Sequence, residues 1–307
     1  MTRETFLDKL AEQLGWYGAD RGIFCHREDC FYVKDTFGGV TARDRPVRSI
    51  YIYGFYTVAV SQAILNIPTL YNDGNLDTSK WSINKSFVQP IGYMFPTVSG
   101  IFASRALPND ETTNGNVLFI GLGGGTLNNL LTAGFPNINV TSVDNNPVMK
   151  RLAVELFDNV ENEKNHIVIG DGVEFMKNET KRGAQYDAII GDVCYNNGDK
   201  PNICPIDLFL NDDVIEIYKK LLKPTGFLAH NVVAKGEIEM QDEIIQNILK
   251  LHMKHFGEEN CVMHKCHSIR NFVLMCRSIG FPSKDDYRRV EEAFADRFEY
   301  TIVENEQ

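Results

Sequence analysis

Four glycines in five positions, Gly121 and Gly123–Gly125, follow the apolar run Val117–Ile120 and precede Leu127–Leu131, which reads as a helix start. A strand that breaks sharply into a helix N-terminus makes a cradle for a nucleotide-like cofactor. Glycine lets the backbone approach the ligand, and the unpaired N–H groups of the first helical turn face it. Three acids recur downstream at the ends of apolar runs: Asp144 after Asn139–Val143, Asp171 after His166–Ile169, and Asp192 closing Tyr186–Asp192. In a doubly wound sheet an acid at the second strand end accepts hydrogen bonds from a ribose diol. One at the third fits an adenine amino group. One at the fourth stands beside the chain reversal where ligands sit, able to bind an ammonium group or join the chemistry. Each acid alone reads more readily as a cap or turn residue. Their recurrence at consecutive strand ends points to an adenosyl sulfonium, S-adenosylmethionine. Thr126 stands where the dinucleotide pattern wants a small residue, which argues against a pyrophosphate.

Alternating strands and helices from Asn116 onward would position these residues. Strands are expected at Val117–Ile120, Asn139–Val143, His166–Ile169, Tyr186–Asp192 and Phe227–Val233, with helices at Thr126–Ala133, Pro147–Phe157, Gly172–Lys177 and Asn211–Leu222. Pro224-Thr225-Gly226 reads as a tight turn into the fifth strand. A long amphipathic helix, Glu237–Phe256, comes next. Cys261–Cys266 and Phe272–Cys276 then pair as an antiparallel hairpin at the sheet edge, and a charged surface helix follows from Ser283. Before the sheet, residues 5–18 have helical spacing. Short aromatic and β-branched runs between Gly22 and Ile67, with a turn at Gly38-Gly39, suit a small antiparallel sheet. Ser82–Ala103 reads as a helix interrupted by Pro90 and Pro96.

A net charge of −10 without a basic stripe excludes a nucleic-acid binder, and no apolar run has the length of a membrane span. Seven scattered cysteines are expected as reduced thiols in a cytoplasmic setting. Within Cys261–His267 the ligand-capable side chains alternate between strand faces, so no metal site is expected there, and Cys194 reads as a small apolar filler. The aromatic run Tyr51–Tyr56 is expected in a sheet core or at the surface of a homodimer.

Val117–Leu127, Asp144, Ile169–Met176, Tyr186–Asp192, Cys204–Phe209 and Leu221–Gly226 resemble spermidine synthases in order and spacing, over roughly residues 80–278. The departures are at functional places. Gly124 replaces the acid of the glycine loop in those enzymes. Tyr195 replaces the second acid of Asp-x-x-Asp, and Phe87-Val88-Gln89 replaces their amine-gripping Tyr-Gln/His-Glu. The loop Gly121–Leu127 and His230-Asn231-Val232-Val233 are more similar to spermidine-synthase-like methyltransferases, such as the C-terminal domain of dual elongation factor 1-alpha methyltransferases. Gln89-Pro90 departs from the Glu-His-His of that family.

This resemblance implies an α/β fold: a class I methyltransferase (Rossmann-like) doubly wound sheet with a C-terminal antiparallel hairpin, preceded by a small N-terminal β-rich region. The division falls at 1–80 and 81–307. It implies a transferase moving a methyl group from S-adenosylmethionine to a nitrogen, on a protein or a small amine. The alternatives are an aminopropyltransferase of polyamine biosynthesis using decarboxylated S-adenosylmethionine, and an inactive binding protein. Gly121, Gly123 and Gly125 are expected at the methionine moiety, Asp144 and Asn145 at the ribose, and Asp171 and Gly172 at the adenine. Asp192 is expected at the methionyl ammonium or the acceptor. Tyr195 and Asn231 would line the acceptor side, Asn231 offering its carbonyl to the nitrogen. His230 should point the other way and pack under a helix.

Overall fold

The computed structural model describes residues 1–37, 45–88, 92–196, 200–266 and 271–300; Gly38-Gly39, Gln89-Pro90 and His267 lie outside them. At the N-terminus, α1 (Arg3–Leu14) starts at the Thr2 cap and buries Phe6, Leu10 and Leu14, one face of an amphipathic helix. It packs on an antiparallel sheet of β1 (Ala19–His26), β2 (Asp29–Phe37), β3 (Pro46–Ile52) and β4 (Phe55–Ile64), in that order. After the short β5 (Phe87–Val88), the helix expected over Ser82–Ala103 shrinks to α2 (Met94–Ala103). Pro96 falls in its first turn, where no intrahelical N–H is required, so it does not break the helix.

The chain then alternates: β6 (Gly115–Ile120), α3 (Thr126–Gly134), β7 (Ile138–Asp144), α4 (Pro147–Glu155), β8 (Asn165–Ile169), α5 (Gly172–Lys181), β9 (Tyr186–Gly191). There follow β10 (Asn202–Cys204), α6 (Asp212–Leu221), β11 (Leu222–Ala234), α7 (Ile238–Phe256), β12 (Cys261–Lys265), β13 (Phe272–Arg277), α8 (Lys284–Ala295) and β14 (Glu299–Tyr300), which pairs with β5. The main sheet runs β12-β13-β11-β9-β6-β7-β8, with β10 on β11. β6 to β9 and β11 are parallel, and the β12–β13 hairpin closes one edge antiparallel, as the sequence pattern implied. Val117–Ile120 are all buried, as a central strand covered on both faces requires. The expected turn at Pro224-Thr225-Gly226 is instead absorbed into β11 as a register shift against β9, between Leu222 and Phe227.

Apolar clusters fill both faces of the main sheet; on one of them Phe294 of α8 stacks against Phe102 and Phe135. A third cluster joins Phe6, Phe31 and Ile50 of the N-terminal region to Val148, Met149, Leu152 and Phe157 around α4. Arg48 of β3 fixes this junction. It pairs with buried Asp35 at 2.7 Å and donates to the carbonyls of Thr78 and Leu156, each at 2.9 Å. Tyr53 at the end of the β3 hairpin is exposed.

The cysteines do not follow the expectation of reduced thiols. Cys25–Cys30, Cys194–Cys204 and Cys261–Cys276 are disulfides, and Cys266 alone is free among the described residues. Strand pairing brings the partners together. Cys25 is opposite Cys30 in β1–β2 and Cys261 opposite Cys276 in β12–β13, while Tyr195 N–H to Ile203 O at 2.9 Å sets Cys194 beside Cys204. Cys194 is therefore no apolar filler, and the premise for a cytoplasmic setting does not hold. No helix among the described residues is long and apolar enough to cross a membrane.

Candidate functional site

The loop between β6 and α3 turns through three glycines of positive φ, Gly121 (97°), Gly123 (54°) and Gly125 (68°). A Cβ on Gly121 would collide with the backbone oxygen of Asp192, because the ends of β6 and β9 lie side by side. At Gly124 the constraint is space. A Cβ there would lie 2.9 Å from both Ser61 Oγ of β4 and the Phe157 ring.

Asp144, at the end of β7, spends both oxygens on backbone: Oδ2 accepts from Leu122 N–H at 2.9 Å and Oδ1 from Asn146 N–H at 2.8 Å. It holds the glycine loop in shape. Further hydrogen bonding, as to a ribose diol, would use the remaining lone pairs. Burial pushes its carboxyl above the ordinary 3.8, against the pull of these backbone donors. Asp171 caps α5, its Oδ1 accepting from Glu174 N–H at 2.8 Å. At Gly172, the next residue, a Cβ would press on Ile120 at 2.8 Å.

A cleft runs along these strand ends, where the sheet order reverses between β6 and β9. Gly121, Gly123, Asp144, Asn145, Asp171, Gly172 and Asp192 line it, with Phe31 of β2 and Ile206, Leu208 and Phe209 as apolar walls. A narrower extension past the glycine loop is lined by Val60, Ser61, Tyr93 and Leu127.

Asp192 stands where the two meet. Its Oδ2 accepts from Tyr93 Oη at 2.5 Å and its Oδ1 from Asn231 Nδ2 at 2.8 Å. Burial pushes the carboxyl up from 3.8, while the bonds from Tyr93 and Asn231 pull it down. The Tyr93 phenol is itself driven well above 10 by burial and by the facing carboxylate, so it remains a donor. A carboxylate desolvated among neutral donors is best satisfied by an incoming cation.

A spermine/spermidine synthase domain matches residues 107–279, more than half of the chain. The chain belongs to that family. Its relatives include an eEF1A lysine and N-terminal methyltransferase homolog of Drosophila melanogaster, 25% identical over 212 residues, covering 69% of this chain and 31% of the relative. The Drosophila pseudoobscura pseudoobscura homolog is 32% identical over 136 residues, 44% of this chain and 20% of the relative. This member of the spermine/spermidine synthase family thus spans a third or less of the length of those relatives. Among solved structures, human Methyltransferase-like protein 13 in complex with SAH superposes with a TM-score of 0.58 at 20% identity, over 66% of this chain and 90% of that one. A probable spermidine synthase from Corynebacterium glutamicum gives 0.63 at 18% identity, over 90% of this chain and 86% of that one. Both share the fold.

The sheet brings together Gly121, Gly123, Asp144, Asn145, Asp171, Gly172 and Asp192, at the ends of four consecutive strands, β6 to β9. Gly125 sits one step back, at the cap of α3. Tyr195 is not among the cleft-lining residues; its Oη accepts from Asp207 N–H at 3.3 Å. Asn231 faces Asp192, but its carbonyl is engaged, accepting from Asn271 Nδ2 at 3.0 Å. His230, on the other face of β11, packs under α6 and α7 against Tyr218 and His252, with ring centroids 5.0 and 5.4 Å away. Sequence reasoning missed Tyr93, Ser61 and Phe31. Tyr93 had a faint signal, an aromatic next to Gly92 at the start of a buried helix. Phe31 and Ser61 had none, because only the docking of the N-terminal sheet carries them to the cleft.

Proposed function

We propose that this chain transfers a methyl group from S-adenosylmethionine to a nitrogen carried on a protein. The observation that carries the reading is the crowding at Gly124. Ser61 and Phe157 leave no room for the acid that aminopropyl transfer would place there, so Asp192 meets the cationic end of the ligand without a second acid in the loop. The relatives named for eEF1A lysine and N-terminal methylation support a protein acceptor.

The residues present fit the cofactor. Gly121 and Gly123 would give the backbone close approach, Asp144 and Asn145 would hold the ribose, and Asp171 would meet the adenine, with Leu208 and Phe209 as apolar walls of the same cleft. The bound cofactor supplies a methyl carbon made electrophilic by a sulfonium. The protein's part is to hold an acceptor nitrogen in line and unprotonated. Asp192 holds an ammonium group, of the cofactor's methionine or of the acceptor. Tyr93 and Asn231 fix its two oxygens so that it need not reorganise, while Phe31, Ile206 and Phe209 keep water from the reacting end. A homodimer formed through the N-terminal sheet completes the proposal, since that sheet has edges to cover.

Incubating the protein with labelled S-adenosylmethionine and cell extract should transfer label to a protein acceptor, and calorimetry should show S-adenosylmethionine binding well and its decarboxylated form poorly. The opposite donor preference would overturn the proposal in favour of aminopropyl transfer. Binding without any labelled product would leave a binding protein.

A further inference from the structure

Behind Asp192 a line of buried polar side chains continues to the far edge of the sheet. Asn231 on β11 and Asn271 just before β13 are 6% and 7% exposed. Asn271 Nδ2 donates to Asn231 Oδ1 at 3.0 Å, and Asn231 Nδ2 donates to Asp192 Oδ1 at 2.8 Å. At the other end, the Cys266 thiol donates to Asn271 Oδ1 at 3.4 Å, and Cys266 N–H bonds the Asn271 carbonyl at 2.9 Å across the hairpin. Every donor in this line points towards Asp192.

The direction matters because an asparagine amide can be rotated by half a turn at little steric cost. A lone Asn231 could present either its NH2 or its oxygen to the carboxylate, and an oxygen there would repel it. With Asn231 Oδ1 already held by an NH2, only its own NH2 remains for Asp192. At Asn271 the oxygen takes the Cys266 thiol proton, which is favoured over the reverse arrangement because a thiol sulfur accepts only weakly. The Cys266 thiol keeps its proton, burial pushing it up to about 12.

We propose that Asn271, itself oriented by Cys266, is a positioning residue that fixes the amide of Asn231 with its NH2 towards Asp192, and so sets the ionisation of that carboxylate from outside the cleft. The proposal rests on the cation-binding role given to Asp192 above. The groups that face Asp192 are the Tyr93 hydroxyl from before α2, Asp144 from β7, Asn231 from β11, and the Cys194 sulfur, 3.8 Å from Oδ1 and held in a disulfide. Burial raises the Asp192 carboxyl; Tyr93 and Asn231 lower it. Losing the ordered Asn231 bond removes one of the two hydrogen bonds that favour the carboxylate.

The test follows the carboxyl carbon of Asp192 by NMR in protein labelled at aspartate, the resonance assigned with Asp192→Asn, together with the pH dependence of S-adenosylmethionine affinity. Asn271→Leu, which keeps the branching at Cγ but can neither donate nor accept, should raise the Asp192 midpoint by about one pH unit. Cys266→Ala should raise it by less, and Cys266→Ser, which keeps a donor, should leave it near wild type. The affinity profile should move with the midpoint. If Asn271→Leu and Cys266→Ala lower thermal stability but leave the midpoint where it was, the line is merely structural and the proposal is wrong. Should wild-type protein bind no S-adenosylmethionine, the proposed function fails on that result alone. The carboxyl titration still decides whether Asn271 sets Asp192.

Discussion

Lowering the pH should weaken the fold through the histidine pair beneath β11, and the size of the effect follows from their burial. His252 has its midpoint driven from 6.5 down to about 4 by burial, and His230 well below 6.5 by burial and by the nearby His252. Both rings resist protonation when folded and accept it freely when unfolded. The unfolded chain therefore binds more protons below about pH 6.5, and stability is lost as pH falls from there towards 4. For His252 alone the displacement is worth about 3 kcal/mol, at about 1.4 kcal/mol per pH unit. Asp144 and Asp192 work in the opposite sense, because their raised carboxyls hold protons more tightly in the folded state and gain stability as pH falls. The wild-type profile alone mixes these contributions; comparison with His252→Leu separates them. Urea unfolding followed by circular dichroism between pH 7.5 and 4 should show wild type losing about 3 kcal/mol more than the variant over that range. Parallel profiles would refute the reasoning, since they would mean that His252 is no harder to protonate folded than unfolded.

Gly121→Ala should abolish S-adenosylmethionine binding in calorimetry and lower the melting temperature, because its Cβ would occupy the backbone oxygen of Asp192. Arg48→Ala should cost about 3 kcal/mol in chemical unfolding, because it leaves Asp35 buried with only Arg21 and frees the carbonyls of Thr78 and Leu156. S-adenosylmethionine affinity should rise with pH through the carboxylate range, as Asp192 gives up its proton to receive a cation, and Asp192→Asn should flatten that dependence in calorimetry.

The alternating half of the fold was legible because each of its first four strands is a short apolar run ending at an acid or glycine, and the helices between them carry start signals. Pro147 after the Asn146 cap and Asp171 before Gly172 show this most clearly. The glycine loop and its three acids were readable for the same reason: in a parallel sheet, consecutive strand ends are also neighbours in space. What escaped depends on contacts between distant segments. The cysteine pairs are set by hairpin register, which no cysteine count reveals. Alternation turns His230 away from Asn231 and under the helices, as it is in the structure, whereas the carbonyl of Asn231 is expected from the resemblance to face a substrate. The partner that turns it away, Asn271, is the residue before β13, forty positions along the chain. Tyr195 was expected in the cleft from its place in a motif, and the fold-back of β10 against it sends its hydroxyl to Asp207 instead.

Phe31, Val60 and Ser61 come from the N-terminal sheet, yet they form part of the wall around the cleft at the ends of the main sheet's strands. The family match begins at residue 107, after all three. A fragment cut at that boundary would keep the glycines and every acid of the site but lose the surface that closes over them. It would also lay bare Val148, Met149, Leu152 and Phe157 to water. The region that matches the family is therefore a unit of ancestry rather than of assembly: its pocket is finished by residues that the family signature does not contain.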